Sequence, residues 1–485
     1  EVNNLLSNLD LHGTQPMGNL GPGALGSIYT GGTYFDRTTN WGPRFGFAYN
    51  PRGGKLAIRG GYGIAYDFIY LNPILNGRFL PPLMYQLSLT QAGITGANSY
   101  AALVAGNSAF QRDGQAMVGG YPGSAKNIGA LTPIDRGLRN PQVQQFSFSV
   151  ERELAGQWVG RVSYSGAKGN YLQRTMPINT ARPGQFVPPQ TLEEQTRRQQ
   201  AGEFSALNSA LTGNATRGSS RIDPRFDGVG LLTSSANSNY HSVQFTAERR
   251  FSRGYLVRAA YTIAKSIDDV SDALNVLSSD SSAQQNPFDN RNNRAVSQFD
   301  VPQRLSVVHV LSPNLRTNSA WARHVFNGWT LSGMLQLQSG FPVNFLNGSV
   351  AGLADGTLLG GSGTLRPNVN GPLRIEFAPN PGLGAANPNK VLGSGLESPL
   401  VGHFGTLGRN VARINGLVQS DMTFARRIRL SERMSTEFQT QIYNLFNNTS
   451  FSRPGQTRAT ASTFGYYSDT YSDSRNMTLA LRLIW

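Results

Sequence analysis

The last ten residues, NMTLALRLIW (476–485), place Met477, Leu479, Leu481 and Leu483 at every second position and stop on Trp485. Side chains alternate between the two faces of a strand. The stretch therefore predicts one strand with an apolar face running to Trp485 and an opposite face of Thr478, Ala480 and Arg482. Chain termini usually trail off in polar residues. A strand that is most hydrophobic at its last residue calls for apolar surroundings, either a protein core or lipid.

The same period recurs upstream. Phe45, Phe47 and Tyr49 alternate with Arg44, Gly46 and Ala48, and after a Gly-rich turn KLAIRGGYGIAYD (55–67) sets Leu56, Ile58, Tyr62, Ile64 and Tyr66 against Ala57, Arg59, Gly61 and Gly63. In QVQQFSFSVEREL (142–154), Phe146, Phe148 and Val150 oppose Gln145, Ser147, Ser149 and Glu151. WVGRVSYSGAKG (158–169), YHSVQFTAERRF (240–251), YLVRAAYTIAKS (255–266), QRLSVVHVLS (303–312), NGWTLSGMLQLQSGF (327–341), LVQSDMTFARRIRL (417–430) and MSTEFQTQIYNLFN (434–447) repeat the scheme. About 11 strands of roughly 9–13 residues result, long enough to cross a bilayer at a tilt, where strands of soluble domains average about 5–6. A polar face of Gln, Ser, Thr, Arg and Glu is unsuited to a soluble core. It suits a water-filled interior whose outer face meets lipid.

Loop lengths give an independent test. Short links at 51–54, 155–157, 252–254 and 431–433, with a looser one at about 313–326, alternate with long links at about 67–141, 170–239, 267–302, 342–416 and 446–475. Outer-membrane barrels show this asymmetry, with short periplasmic turns and long extracellular loops. Tyr49, Trp158, Phe251, Tyr255 and Trp329 cluster beside the short turns, as an interfacial girdle does. The expected fold is all-β: an antiparallel transmembrane outer-membrane β-barrel in the cell outer membrane, with outer-membrane lipid and lipopolysaccharide against its apolar face.

Composition agrees. The 485 residues carry a formal charge of +15 with only 15% charged residues, 55 Gly and no Cys. Absence of Cys excludes disulfide scaffolds and thiolate metal sites. No run of about 18 apolar residues offers a transmembrane helix. The arginines are scattered and form no nucleic-acid module, so no nucleic-acid partner is expected. GGYGIAYDF (60–68) lacks the third Gly of a phosphate loop and continues as a strand. With no G-x-S-x-G elbow and no H-E-x-x-H pair, an enzyme is not expected, nor a cofactor.

The candidate functional residues are charges on the polar faces. Arg59, Arg161 and Arg258, set against Glu151, Glu248, Asp421 and Glu437, could attract an anionic ligand or form cross-strand ion pairs. Asp268, Asp269 and Asp272, with Asp280, Asp289 and Asp300 nearby, are carboxylates of the type calcium prefers, although their spacing matches no EF-hand. Tyr34, Phe35, Tyr466, Tyr467 and Tyr471 could stack on a ligand or pack the loops together.

Several stretches carry a family resemblance in their order and spacing: WGPRFGFAYNPRGGKLAIRGGYGIAYD (41–67), NPQVQQFSFSVEREL (140–154), YTIAKSIDDVSD (261–272), FDVPQRLSVVHVLS (299–312), NGWTLSGMLQLQSGFPVNF (327–345) and YNLFNNTSF (443–451). Together they resemble TonB-dependent receptors of the Oar-like type. The resemblance implies that residues 1–485 are the C-terminal portion of a 22-stranded barrel, with about 11–12 strands present and the plug and N-terminal domains absent. Glu1–Val2 would then be the tail of a preceding strand. It implies active import of a large or scarce solute, a siderophore, oligosaccharide or peptide, driven through the plug by the TonB energy-coupling complex. A passive porin-like channel and a surface adhesion or assembly barrel are the alternatives. The terminus Met477, Leu479, Leu481, Leu483 and Trp485 resembles the C-terminal signal read by the barrel-assembly machinery, with Trp where Phe is usual.

Overall fold

The structure is a computed structural model that describes residues 7–10, 27–30, 39–51, 54–69, 132–179, 186–212, 222–223, 229–272, 285–286, 289–314, 316–347, 365–372, 378–379, 395–453, 466–467 and 469–485. Glu1–Val2, Tyr34, Phe35 and Asp280 lie outside these residues. Eleven strands form one continuous sheet: β1 Arg44–Tyr49, β2 Leu56–Tyr66, β3 Gln142–Glu153, β4 Trp158–Pro177, β5 Gly230–Ser252, β6 Tyr255–Asp268, β7 Gln303–Leu311, β8 Trp329–Gln338, β9 Leu417–Arg429, β10 Ser435–Tyr443 and β11 Asn476–Ile484. Each pairs antiparallel with its neighbour in sequence, and Ala295–Val296 adds a short ladder to the far end of β6. The order runs linearly from β1 to β11, and among the described residues no ladder joins these two. No described helix is long and apolar enough to span a membrane.

The register places the alternating residues as the sequence pattern requires. Across seven strands Val150, Val162, Phe245, Tyr261, Leu305, Leu337 and Val418 lie opposite one another in a single apolar row. One residue away, Ser149, Ser163, Gln244, Thr262, Arg304 and Gln338 form the matching polar row. A slip of one residue in any pair would break both rows. Phe45, Phe148, Phe245, Ile263 and Leu481 on the apolar face are 46–74% exposed, so this face has no protein layer over it. A continuous bare apolar band marks a surface built for another apolar phase. The last strand conforms: Leu481 lies opposite Phe438 and Arg482 opposite Glu437.

Local chemistry explains the short turns. Arg253 and Gly254 both have positive φ, 53° and 80°, the two-residue turn whose twist matches flanking strands. Glycines inside the sheet are covered by rings on the apolar face, Phe47 over Gly60 and Phe146 over Gly166.

Two expectations need correction, the strand lengths and the extent of one loop. β4 and β5 run 20 and 23 residues, well beyond the expected 9–13, and shorten the expected loop 170–239 from both sides. Their outer halves leave the alternating pattern: Leu231, Leu232 and Ala236 of β5 are buried, and Leu232 packs with the loop residues Ile134 and Leu138. The remainder of that loop includes two helices, α1 (Leu192–Gln200) and α2 (Glu203–Thr212). The looser link at 313–326 contains a third, α3 (Ala320–Phe326), N-capped by Ser319. Among the described residues a buried apolar group lies in the loops: Val343, Phe345, Leu407, Ile414 and Tyr467, with Phe451 stacked on Tyr467 at 4.7 Å.

Candidate functional site

The polar face holds the predicted charges in separate places. Arg161 and Glu151 are direct cross-strand partners joined by an ion pair, and Arg161 Nε donates to Glu151 Oε2 at 2.7 Å. Arg59 Nη1 reaches the same carboxylate at 3.6 Å, so two guanidinium groups share one acid. Arg258 lies opposite Glu248, 3.8 Å away. All of these are near the short turns. Their side chains are 22–59% exposed, and solvent-exposed pairs of this kind contribute about 0.2–1 kcal/mol each. Asp421 is in the outer half of β9, accepting from Gln419 Nε2 at 3.1 Å and from the backbone N–H of Asn444 at 2.9 Å.

Three acids of the 267–302 segment pair with arginines. Asp268 pairs with Arg409, both side chains almost fully buried. Asp269 pairs with Arg294 at 3.4 Å, and Asp300 pairs with Arg413. Among the described residues no group of three or more His, Asp or Glu side chains converges as metal ligands would.

Around these pairs, hydrogen bonds tie described parts of the long loops into one polar cap. Arg409 also donates to the carbonyls of Asp268 (2.8 Å) and Asn293 (3.1 Å) and to Ser271 Oγ (3.2 Å). Buried Arg366 donates to the Leu407 carbonyl (2.7 Å), the Asn292 carbonyl (2.8 Å) and Asn293 Oδ1 (3.1 Å). Gln285 accepts from the Arg366 N–H at 2.6 Å and donates to the Gly405 carbonyl at 2.8 Å. Arg174, on the outer extension of β4, donates to Ser235 Oγ at 2.7 Å; burial lowers its pKa, with the Asp269 charge acting against that. In the adjoining apolar cluster, burial raises the pKa of the Tyr467 phenol, partly offset by a backbone hydrogen bond with Asn415. Tyr471 packs edge-on against Phe341 at 5.7 Å, so Tyr467 and Tyr471 each pack against a loop phenylalanine.

The cap's arginines were not among the predicted site residues. Arg409 and Arg413 follow their acid partners by 141 and 113 positions in an aperiodic stretch. The excess of Asp in 267–302 was the one signal that cationic partners were needed.

Beneath the cap a cavity of about 450 Å³ opens on the polar face, floored by β4, β5 and β6 and edged by Phe299, Asp300 and Arg304.

A family model described as "Outer membrane beta barrel domain" matches residues 1–478. The chain belongs to this family. The barrel domain therefore resides in the outer membrane, with its apolar face to lipid and its polar face to the lumen. Among solved structures it is similar to the outer membrane transporter YddB from Escherichia coli, at 10% identity and TM-score 0.42, covering 89% of this chain and 39% of that one. It is also similar to the ferripyoverdine receptor of Pseudomonas aeruginosa (10% identity, TM-score 0.39, 94% and 34% covered) and to the FrpB iron transporter from Neisseria meningitidis (9%, 0.37, 92% and 39%). The barrel domain thus spans well under half the length of these structures. No curated protein sequence matches it.

Proposed function

We propose that the chain is the C-terminal part of the wall of a TonB-dependent receptor of the Oar-like type, and that the whole protein imports a large or scarce solute into the periplasm. The observation that carries this reading is the polar cap. A passive channel works through a mouth that stays open, whereas here Arg366, Arg409 and Arg413 tie separate outer loops together at the outer end. Such a mouth suits capture and release of cargo rather than free diffusion. The sequence resemblance and the chain's coverage of well under half of the solved transporters agree with a plug and coupling segment elsewhere in the protein. The Arg59, Arg161 and Glu151 trio and the Arg258–Glu248 pair, being mutually engaged, support the wall or contact the plug rather than bind cargo. The strand ending in Trp485 would be read by the barrel-assembly machinery.

The test is the full-length protein in planar bilayers and in cells. The reading expects almost no steady conductance, and solute uptake that stops when the proton gradient is collapsed. Steady open-channel conductance with uptake insensitive to the gradient would establish the porin-like alternative instead.

A further inference from the structure

The cavity beneath the cap is lined differently from the charged inner half of the lumen. Its floor is made of hydroxyls, Ser163, Ser242 and Thr262 with Ser165 beside them, and the amide of Gln244. Of its described lining residues only Arg304 and Asp300 are charged, and the Asp300 carboxylate is already engaged by Arg413. The cavity is therefore close to neutral. Two large rings stand at its edge, Tyr240 and Phe299, 36% and 52% exposed. Tyr240 pairs with Ser266 across β5 and β6, and Ser266 N–H donates to Asp300 Oδ1 at 2.6 Å. The segment that carries Phe299 is thus held beside the strand that pairs with Tyr240.

We infer that this cavity binds a neutral oligosaccharide. Serine and threonine hydroxyls both donate and accept, as sugar hydroxyls do, so a floor of them can follow a ligand with donors and acceptors on every carbon. Exposed aromatic rings offer flat apolar faces for the C–H faces of pyranose rings. An anionic metal chelate would require a cluster of cations, and the described lining has one arginine. Its volume, about 450 Å³, falls within the ordinary range for small-ligand sites. The site is also preorganised. The Ser266 N–H bond to Asp300, the Ala264 N–H bond to the Pro302 carbonyl at 2.9 Å and the Arg413–Asp300 pair hold the Phe299 edge against the wall before any ligand arrives.

The inference rests on the import reading above and names its cargo class. The full-length protein in detergent is titrated calorimetrically with maltohexaose, cellohexaose and xylohexaose, and with ferric citrate as the anionic probe. At least one hexasaccharide should bind. Tyr240→Ala and Phe299→Ala should each weaken it about tenfold while Tyr240→Phe keeps it, with barrel folding checked by heat-dependent gel mobility. Absence of hexasaccharide binding at millimolar concentration, or binding unchanged in both alanine variants, would overturn the assignment. So would ferric citrate binding that is lost in Arg304→Gln. Binding needs no energy source, so its failure is distinct from failure of the import reading, which shows only in uptake by energised cells.

Discussion

Replacing Arg409 by Met should loosen the outer cap while leaving the barrel intact. The Arg409 and Asp268 side chains are 4% and 2% exposed, and no other arginine or lysine in the structure pairs with Asp268 among the described residues. Removing one member of a buried ion pair leaves an unpaired charge and costs about 3–5 kcal/mol. At about 1.4 kcal/mol per factor of ten, the equilibrium for opening the cap should rise between about a hundredfold and several thousandfold. The cost should be local, because Arg409 bonds to loop residues Asn293 and Ser271 and to Asp268 at the end of β6. Native-state hydrogen exchange in detergent, read by mass spectrometry, would follow the amides of 289–300 and 403–414 against those of β8 and β9. Protection should fall in the first set and persist in the second. The double variant Arg409→Met with Asp268→Leu should recover most of the loss, since two apolar groups of similar volume remove the stranded charge. Unchanged protection in Arg409→Met would refute the claim that this pair locks the cap. Equal loss in β8 and β9 would refute the claim that cap and wall are separable.

Two further predictions follow from the register and the loop packing. Leu335 is on the apolar face, opposite Val307 and Ser420, while Gln336 faces the lumen, so Leu335→Arg should cost about 2–4 kcal/mol in folding titrations into liposomes and Gln336→Arg within about 0.5 kcal/mol; equal costs would mean the faces are misassigned. A methyl group on Gly340 would press on the Ile414 carbonyl oxygen, so Gly340→Ala should lose about 1–3 kcal/mol of loop stability and expose the 342–343 and 412–413 ladder to protease before the wall is cut. A protease pattern identical to the parent protein's would count against that packing.

The sheet was legible because a strand in a membrane wall records its surroundings residue by residue. Phe146 beside Gln145, or Leu481 beside Arg482, states which side meets lipid, and eleven such records in a row leave one antiparallel order. The boundaries of β2, β3, β9 and β11 come within a few residues of their expected places for the same reason. The pattern failed in the outer halves of β4 and β5. There Leu231, Leu232 and Ala236 are covered by protein instead of lipid and water, and the period of two is lost. The Asp-rich segment was visible, its partners were not: a guanidinium more than a hundred positions downstream leaves no periodic trace, and only folding brings Arg409 to Asp268.

The sequence alone therefore determined the class of fold, the two faces of the wall and which end carries the long loops, because local alternation answers directly to a two-phase environment. Tertiary structure decided what those loops do. It joined residues 174, 268, 300, 366, 409 and 413 into a polar lock and set Tyr240 and Phe299 at the edge of one hydroxyl-floored cavity. Contacts between distant aperiodic segments depend on the closed path of the chain, which no short window of residues contains.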